Sequence, residues 1–295
     1  MTAGHSSSDG FDGSGGHSGS GGHGDKNLAG RGLAPDGTIA REGSLDRVPT
    51  VFRALVETTR TRIAALFGPD RLHSAYLYGS IPRGTAVPGV SDLDLLLALR
   101  REPTAVDRTD AEALGAGLDR DFPVVDGAGV LVFGADALLS PLERHDLGFF
   151  VACLCTPLIG DDLAVRLPRY RPGRVLARET NGDLALALPC WRERIAAAAG
   201  DDDRRRLVRG ISRRLVRTGF TLVMPDWNGW TSDLARSAEI FAARYPARAE
   251  HMRLAAVAAR TPTPDPAVLT LLVTDLAPWL AAEYTAVHGR KAPRP

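Results

Sequence analysis

Two small residues, Gly79-Ser80, and two carboxylates that follow eleven residues later, Asp92 and Asp94, form the pattern with the most chemistry in this sequence. Gly79-Ser80 leaves an apolar run, residues 75–78, that reads as a buried strand. A glycine there lets backbone come close to a ligand, and the neighbouring N–H groups can receive phosphate oxygens. Asp92 and Asp94 lie in Ser-Asp-Leu-Asp-Leu-Leu-Leu-Ala-Leu, which reads as a second strand. Strand side chains alternate, so both carboxylates point to one face while Leu93, Leu95 and Leu97 point to the other. Two carboxylates that close repel unless a cation sits between them. Mg2+ suits, because it favours one or two carboxylates together with substrate phosphates. A phosphate cradle beside a metal-holding pair is the equipment for moving a nucleotidyl group. The plainer alternative is a turn that opens a helix, followed by an acidic strand end that holds no metal.

Elements on either side must position these groups. The pattern predicts a helix over 47–67 ended by Gly68-Pro69, then a strand over 72–78 running into Gly79-Ser80. A short helical turn over 80–85, a loop at Pro88-Gly89 and a strand over 92–99 follow. Next come a helix over 104–119, a strand over 122–133 broken by Gly127 and Gly129, a helix over 136–145 and an apolar run over 149–159. Residues 166–172, rich in Arg and Pro, read as a linker. Helices are predicted over 174–199, 202–224, 232–245, 247–259 and 266–287. Residues 1–43 are dominated by Gly, Ser, Asp and His, and such a segment cannot bury enough surface to offset its ordering entropy. It is expected to be a disordered tail, and the wide spacing of His5, His17 and His23 argues against a metal site. The chain thus divides into a tail (1–43), an α/β unit with a small mixed sheet (44–165) and an all-α helical bundle (166–295).

At 295 residues with 44% apolar composition, the chain has room for two domains and a sizeable core. A net charge of +1 gives no reason to expect a polyanionic partner such as nucleic acid. Cys153, Cys155 and Cys190 form no zinc pattern, and an odd count fits reduced thiols. With no signal-peptide pattern and no apolar stretch read as long enough to span a bilayer, a soluble cytoplasmic protein is expected.

The run from Tyr78-Gly79-Ser80 through Arg83-Gly84 to Ser91-Asp92-Leu93-Asp94 resembles the signature of the polymerase-beta-like nucleotidyltransferase superfamily. The order of an α/β unit and then a helical unit resembles the two-domain aminoglycoside adenylyltransferases. The resemblance implies ATP or another nucleoside triphosphate as co-substrate, Mg2+ as cofactor and a small-molecule acceptor, with an aminoglycoside as one candidate. It implies a third carboxylate on the strand after the pair, and Asp126 is the match, as metal ligand or as base. The alternative for Asp126 is a turn with Gly127. The resemblance also implies that the helical domain closes over the cleft. Arg209, Arg213 and Arg217 fall at i, i+4 and i+8 of one helix and form the stripe that would meet the nucleotide. Arg83, three residues after Ser80, can reach the same triphosphate. Where such enzymes tend to place a Lys after the Ser at 232, this chain has Asp233. Asp226, Trp227 and Trp230 suit either a cationic sugar-like acceptor or, preferably, a Trp-capped hydrophobic corner. His145 and His251 receive no role.

A different class of function competes with catalysis: an antitoxin-like or regulatory module that binds or nucleotidylates a partner protein. The large helical portion favours an enzyme. A P-loop is excluded by the lack of Gly-x4-Gly-Lys-Ser/Thr, and Gly127-Ala128-Gly129 lacks the third glycine of a dinucleotide fingerprint.

Overall fold

The computed structural model describes residues 28–294. Its sheet has four strands: β1 (Leu72–Tyr78), β2 (Leu93–Leu99), β3 (Ala128–Gly134) and β4 (Cys155–Gly160). Their order is β3-β2-β1-β4, with β1 antiparallel to β2 and to β4, and β2 parallel to β3. The sheet is therefore mixed. Leu93, Leu95, Leu97 and Leu99 turn to one face and pack with Phe52, Leu55 and Ile63 of the first helical segment. Leu96 and Ala98 turn to the other, against Tyr76, Val151 and Cys155. Asp92 and Asp94 share that second alternation.

Helical segment α1 (Arg53–Arg71) is broken at Gly68, whose φ of 60° and ψ of 172° are non-helical, so the first run ends where Gly68-Pro69 was expected to end it and a short turn follows. Thr104 caps α2 (Ala105–Asp121) with a capping box: its hydroxyl accepts from Asp107 N, and the Asp107 carboxylate accepts from Thr104 N at 2.8 Å. The helix predicted over 136–145 survives only as Ala135–Leu138. Pro141 cannot donate a backbone bond, and a proline disfavours helical geometry in the residue before it, here Ser140. The strand predicted over 122–133 begins at Ala128, because Pro123 and a turn from Val125 N to Phe122 O occupy its first half.

The helical half holds α3 (Arg174–Asn181), α4 (Leu184–Ala196), α5 (Asp201–Trp227), α6 (Leu234–Arg244) and α7 (Ala249–Ala258). The single helix expected over 174–199 is split at Gly182, which closes α3 by donating to Arg178 O. Asp201, Asp202 and Asp203 open α5, where carboxylates complement the helix dipole. A final helical segment, Pro266–His288, is long and apolar enough by length and composition to cross a membrane, which corrects the expectation that no stretch reaches that length. Here its apolar residues Leu272, Leu276, Leu280 and Tyr284 are buried in the helical core.

The boundary of the tail is also corrected. Residues 28–43 form a strap across the molecule, with Leu33 and Ile39 only 4% and 5% exposed. Ile39 N donates to Tyr170 O at 2.7 Å, and Trp230 N donates to Arg31 O at 2.8 Å. Leu33, Ile39, Phe149, Cys153 and Tyr170 join the core of the helical half, so the presumed linker is packed and the two halves share apolar contacts. Residues 1–27, with the three tail histidines, lie outside the described residues.

Candidate active site

At the C-terminal end of β1, Gly79 adopts φ +81°, a region that favours glycine. A Cβ at this position would overlap the Oδ2 of Asp94, so the glycine is demanded by the carboxylate beside it. Ser80 then opens the short helix Ser80–Arg83, closed by Gly84 in the left-handed region. Across the ladder Tyr78 pairs with Asp94, and on the far side Asp94 pairs with Gly129. Glycines 127 and 129 offer no side chain to the carboxylates. A Cβ on either would stand 3.7 Å and 3.9 Å from Oδ1 of Asp92 and of Asp94.

Asp126 is therefore out of step with the pair. The positions beside Asp92 and Asp94 are Gly127, just before β3, and Gly129 within it, while Asp126 lies one residue earlier, its backbone N bonded to Ser91 O at 3.1 Å and its side chain 53% exposed. Among the described residues no group of three His, Cys, Asp or Glu side chains is placed to hold a metal ion. The predicted three-carboxylate set is thus not assembled; what the fold brings together is the pair.

Opposite the pair lies α5. Arg209 Nη1 stands 3.7 Å from Asp126 Oδ2, and Arg213 Nη1 stands 3.9 Å from Asp92 Oδ2. Arg217, one turn further, acts electrostatically on Asp94 and on Tyr78. The three arginines face the acids together, because a spacing of four residues on a helix repeats along one face. Arg83 reaches the same place from the side of the sheet and acts on both Asp94 and Arg217.

Burial, then the charge of Asp92, pushes the Asp94 carboxyl up to about 6, against the pull of Arg213, Arg217 and Arg83. Burial also raises Asp92, with Asp126 adding to it and Arg213 and Arg209 opposing. Burial, followed by the neighbouring Arg213 and Arg83, holds the Arg217 guanidinium below its ordinary value. Yet Arg217 is solvent-exposed. Its guanidinium is thus open to solvent while Arg213, Arg83 and Asp94 act on it from nearby.

Some expected contributors stand elsewhere. Trp230 is 9% exposed and meets Phe149 and Phe220 edge-on, the hydrophobic corner foreseen for it. Trp227 is flanked by the guanidiniums of Arg31 and Arg236 at 5.7 Å and 5.4 Å. Asp233, in place of the Lys, caps α6 by accepting from Arg236 N at 2.7 Å. One residue of the cleft was missed altogether. Glu42 accepts from Ser232 Oγ at 2.7 Å and pairs with Arg83 at 3.4 Å. The signal for it was a change of composition: apolar and charged residues replace the Gly/Ser run from Leu28 onward.

No known protein family matches the chain, and no curated protein does. Among solved structures, a spectinomycin adenyltransferase AAD(9) from Enterococcus faecialis, determined with ATP and spectinomycin, is similar to it. The TM-score is 0.47 and the identity 15%, over 78% of this chain and 98% of that one.

Proposed function

We propose that this chain is a Mg2+-dependent nucleotidyltransferase that moves a nucleoside monophosphate, AMP from ATP, to a hydroxyl of a small-molecule acceptor. The observation that carries this reading is the convergence of Arg83, Arg213 and Arg217 on a carboxylate pair at one cleft. Guanidiniums that crowd one another need a polyanion, and a triphosphate supplies one with the spacing to meet several at once. Asp92 and Asp94 offer the hard oxygen donors that Mg2+ takes, and their mutual repulsion is what a divalent cation relieves. Bound there, the ion would neutralise charge at the reacting phosphates.

The chain's own residues do the rest. Arg213 and Arg217 approach from the helical half and Arg83 from the catalytic half, so the triphosphate is gripped from two sides and held in line. As negative charge moves onto the leaving pyrophosphate, those fixed cations stabilise it without rearrangement. Gly79 lets backbone approach, and Ser80 adds a hydroxyl. Asp126, exposed beside Asp92, is the carboxylate left to take the proton of the attacking hydroxyl.

The test is pyrophosphate release from Mg2+·ATP by wild type and Asp92→Asn, over a panel of hydroxylated acceptors that includes aminoglycosides, with a no-acceptor control. Acceptor-dependent release that falls ~100-fold or more in the variant is expected. Silence of folded wild type with all acceptors and with the other nucleoside triphosphates would sink the proposal and favour a partner-binding module.

A further inference from the structure

Glu42 belongs to a segment that composition marks as tail, yet it is among the most firmly placed acids in the molecule. Its N–H donates to Cys153 O at 2.9 Å, and its carbonyl accepts from Arg47 Nη1 at 2.8 Å. On either side, Arg41 pairs with Asp162 at 2.8 Å, and Ser44 N donates to Pro82 O at 3.0 Å. Gly43 lies so close to Pro82 and Thr156 that a Cβ would force one of them aside. The strap is therefore threaded directly over the Pro82-Arg83 turn that follows Gly79-Ser80.

The carboxylate delivered by this threading is 15% exposed, and its Oε2 serves two partners from different halves. Arg83 belongs to the catalytic half. Ser232 lies between α5 and α6, beside the Asp233 that caps α6. An oxygen already shared by a hydroxyl and a guanidinium is poorly suited to act as a base. It is well suited to hold both donors at fixed separation, since a charge-assisted bond is short and directional.

We propose that Glu42 is a positioning residue of the nucleotide site: it aims Arg83 into the cleft and ties that arginine to Ser232 of the helical half. This rests on the nucleotidyl-transfer reading above. Arg83 and the α5 arginines come from opposite walls, so a triphosphate can be gripped by all of them only while the walls keep their separation. Fixing Arg83 beforehand removes an ordering cost that would otherwise fall on binding.

The probe is Mg2+·α,β-methylene-ATP, titrated calorimetrically into the full chain. Glu42→Gln keeps an acceptor for Ser232 and loses the charge that holds Arg83; binding is expected to weaken about tenfold. Ser232→Ala loosens the same tether from the other wall, with an expected loss of about threefold. Arg83→Gln also weakens binding, and adding Glu42→Gln to it should cost less than about twofold more, because the second residue acts through the first. Unchanged or tighter binding in a Glu42→Gln protein of normal melting temperature overturns the proposal, as does strict additivity with Arg83→Gln. If wild type does not bind the probe, the nucleotide reading fails instead. Hydrogen exchange then decides the tether: Glu42→Gln should speed exchange at 80–85 and 230–236 together, and unchanged exchange at both refutes it.

Discussion

Asp94 is the residue in which stability and chemistry oppose each other. Its folded carboxyl is raised from 3.8 to about 6 by burial and by Asp92. Above pH 6 it is ionised in folded and unfolded chain alike, and the folded state carries the full cost. As pH falls from 6 toward 4 the folded form takes up the proton first, and the cost is relieved. Asp94→Asn is therefore expected to raise stability at pH 7–8 by on the order of 2 kcal/mol, a gain that shrinks toward pH 4. Urea melts of both proteins across that range measure it; a gain that grows with acidity contradicts the assignment. Gly79→Ala should cost about 2 kcal/mol, from its positive φ and from pressure on Asp94. Part of that cost should vanish in an Asp94→Ala background, because the steric partner is gone. At this scale the sequence was informative: Gly79, Asp92, Asp94 and the three arginines of α5 are all brought to one cleft. Asp126 stands there too, 3.7 Å from Arg209 and acting on Asp92, but on the turn before β3 and not on the strand. Whether it faces the pair depends on where β3 begins, and one residue of register reverses a strand side chain.

The elements were legible wherever periodicity and punctuation agreed. The strand predicted over 72–78 matches β1, and Thr104 stands as the cap of α2. Thr104→Ala should lower stability by about 1 kcal/mol, read as a lower urea midpoint at unchanged slope. The elements misjudged share a cause, local geometry that composition averages away. A proline after Ser140 shortens one helix, Gly182 splits another, and a turn at 122–125 removes half a strand. Gly68, by contrast, was legible: its non-helical backbone breaks α1 where the glycine and Pro69 predicted a stop. For α5 the prediction concerns its stripe: Arg213→Gln should weaken Mg2+·nucleotide binding about tenfold. Arg206→Gln, at an exposed position paired only with Asp203, should not change it. Equal effects of the two would reduce the stripe to a general positive charge.

For the molecule as a whole, the strap changes what counts as a domain. Neither half is closed without it: Leu33 and Ile39 complete the helical core, and Glu42 completes the cleft. Ile39→Ala is expected to cost about 3 kcal/mol, as for other buried branched side chains cut to Ala. A melt shifted by less than a third of that would mean the strap is only laid on the surface. The sequence hid this because the strap is short and its apolar residues are few. Burial at Leu33 and Ile39 depends on partners far along the chain, which no local window contains.

Those separations carry a consequence for how the protein is made. Arg31 bonds a residue 196 positions later, and Glu42 one 190 positions later. During synthesis the strap emerges well before its partners on α5 and in the loop beyond. Contacts of such range close late, after the loop entropy between them has been met. The strap is thus seated only after α5 and Ser232 have been made, and a nascent chain halted before α5 carries the Gly79-Ser80 and Asp92-Leu93-Asp94 motifs without a finished cleft.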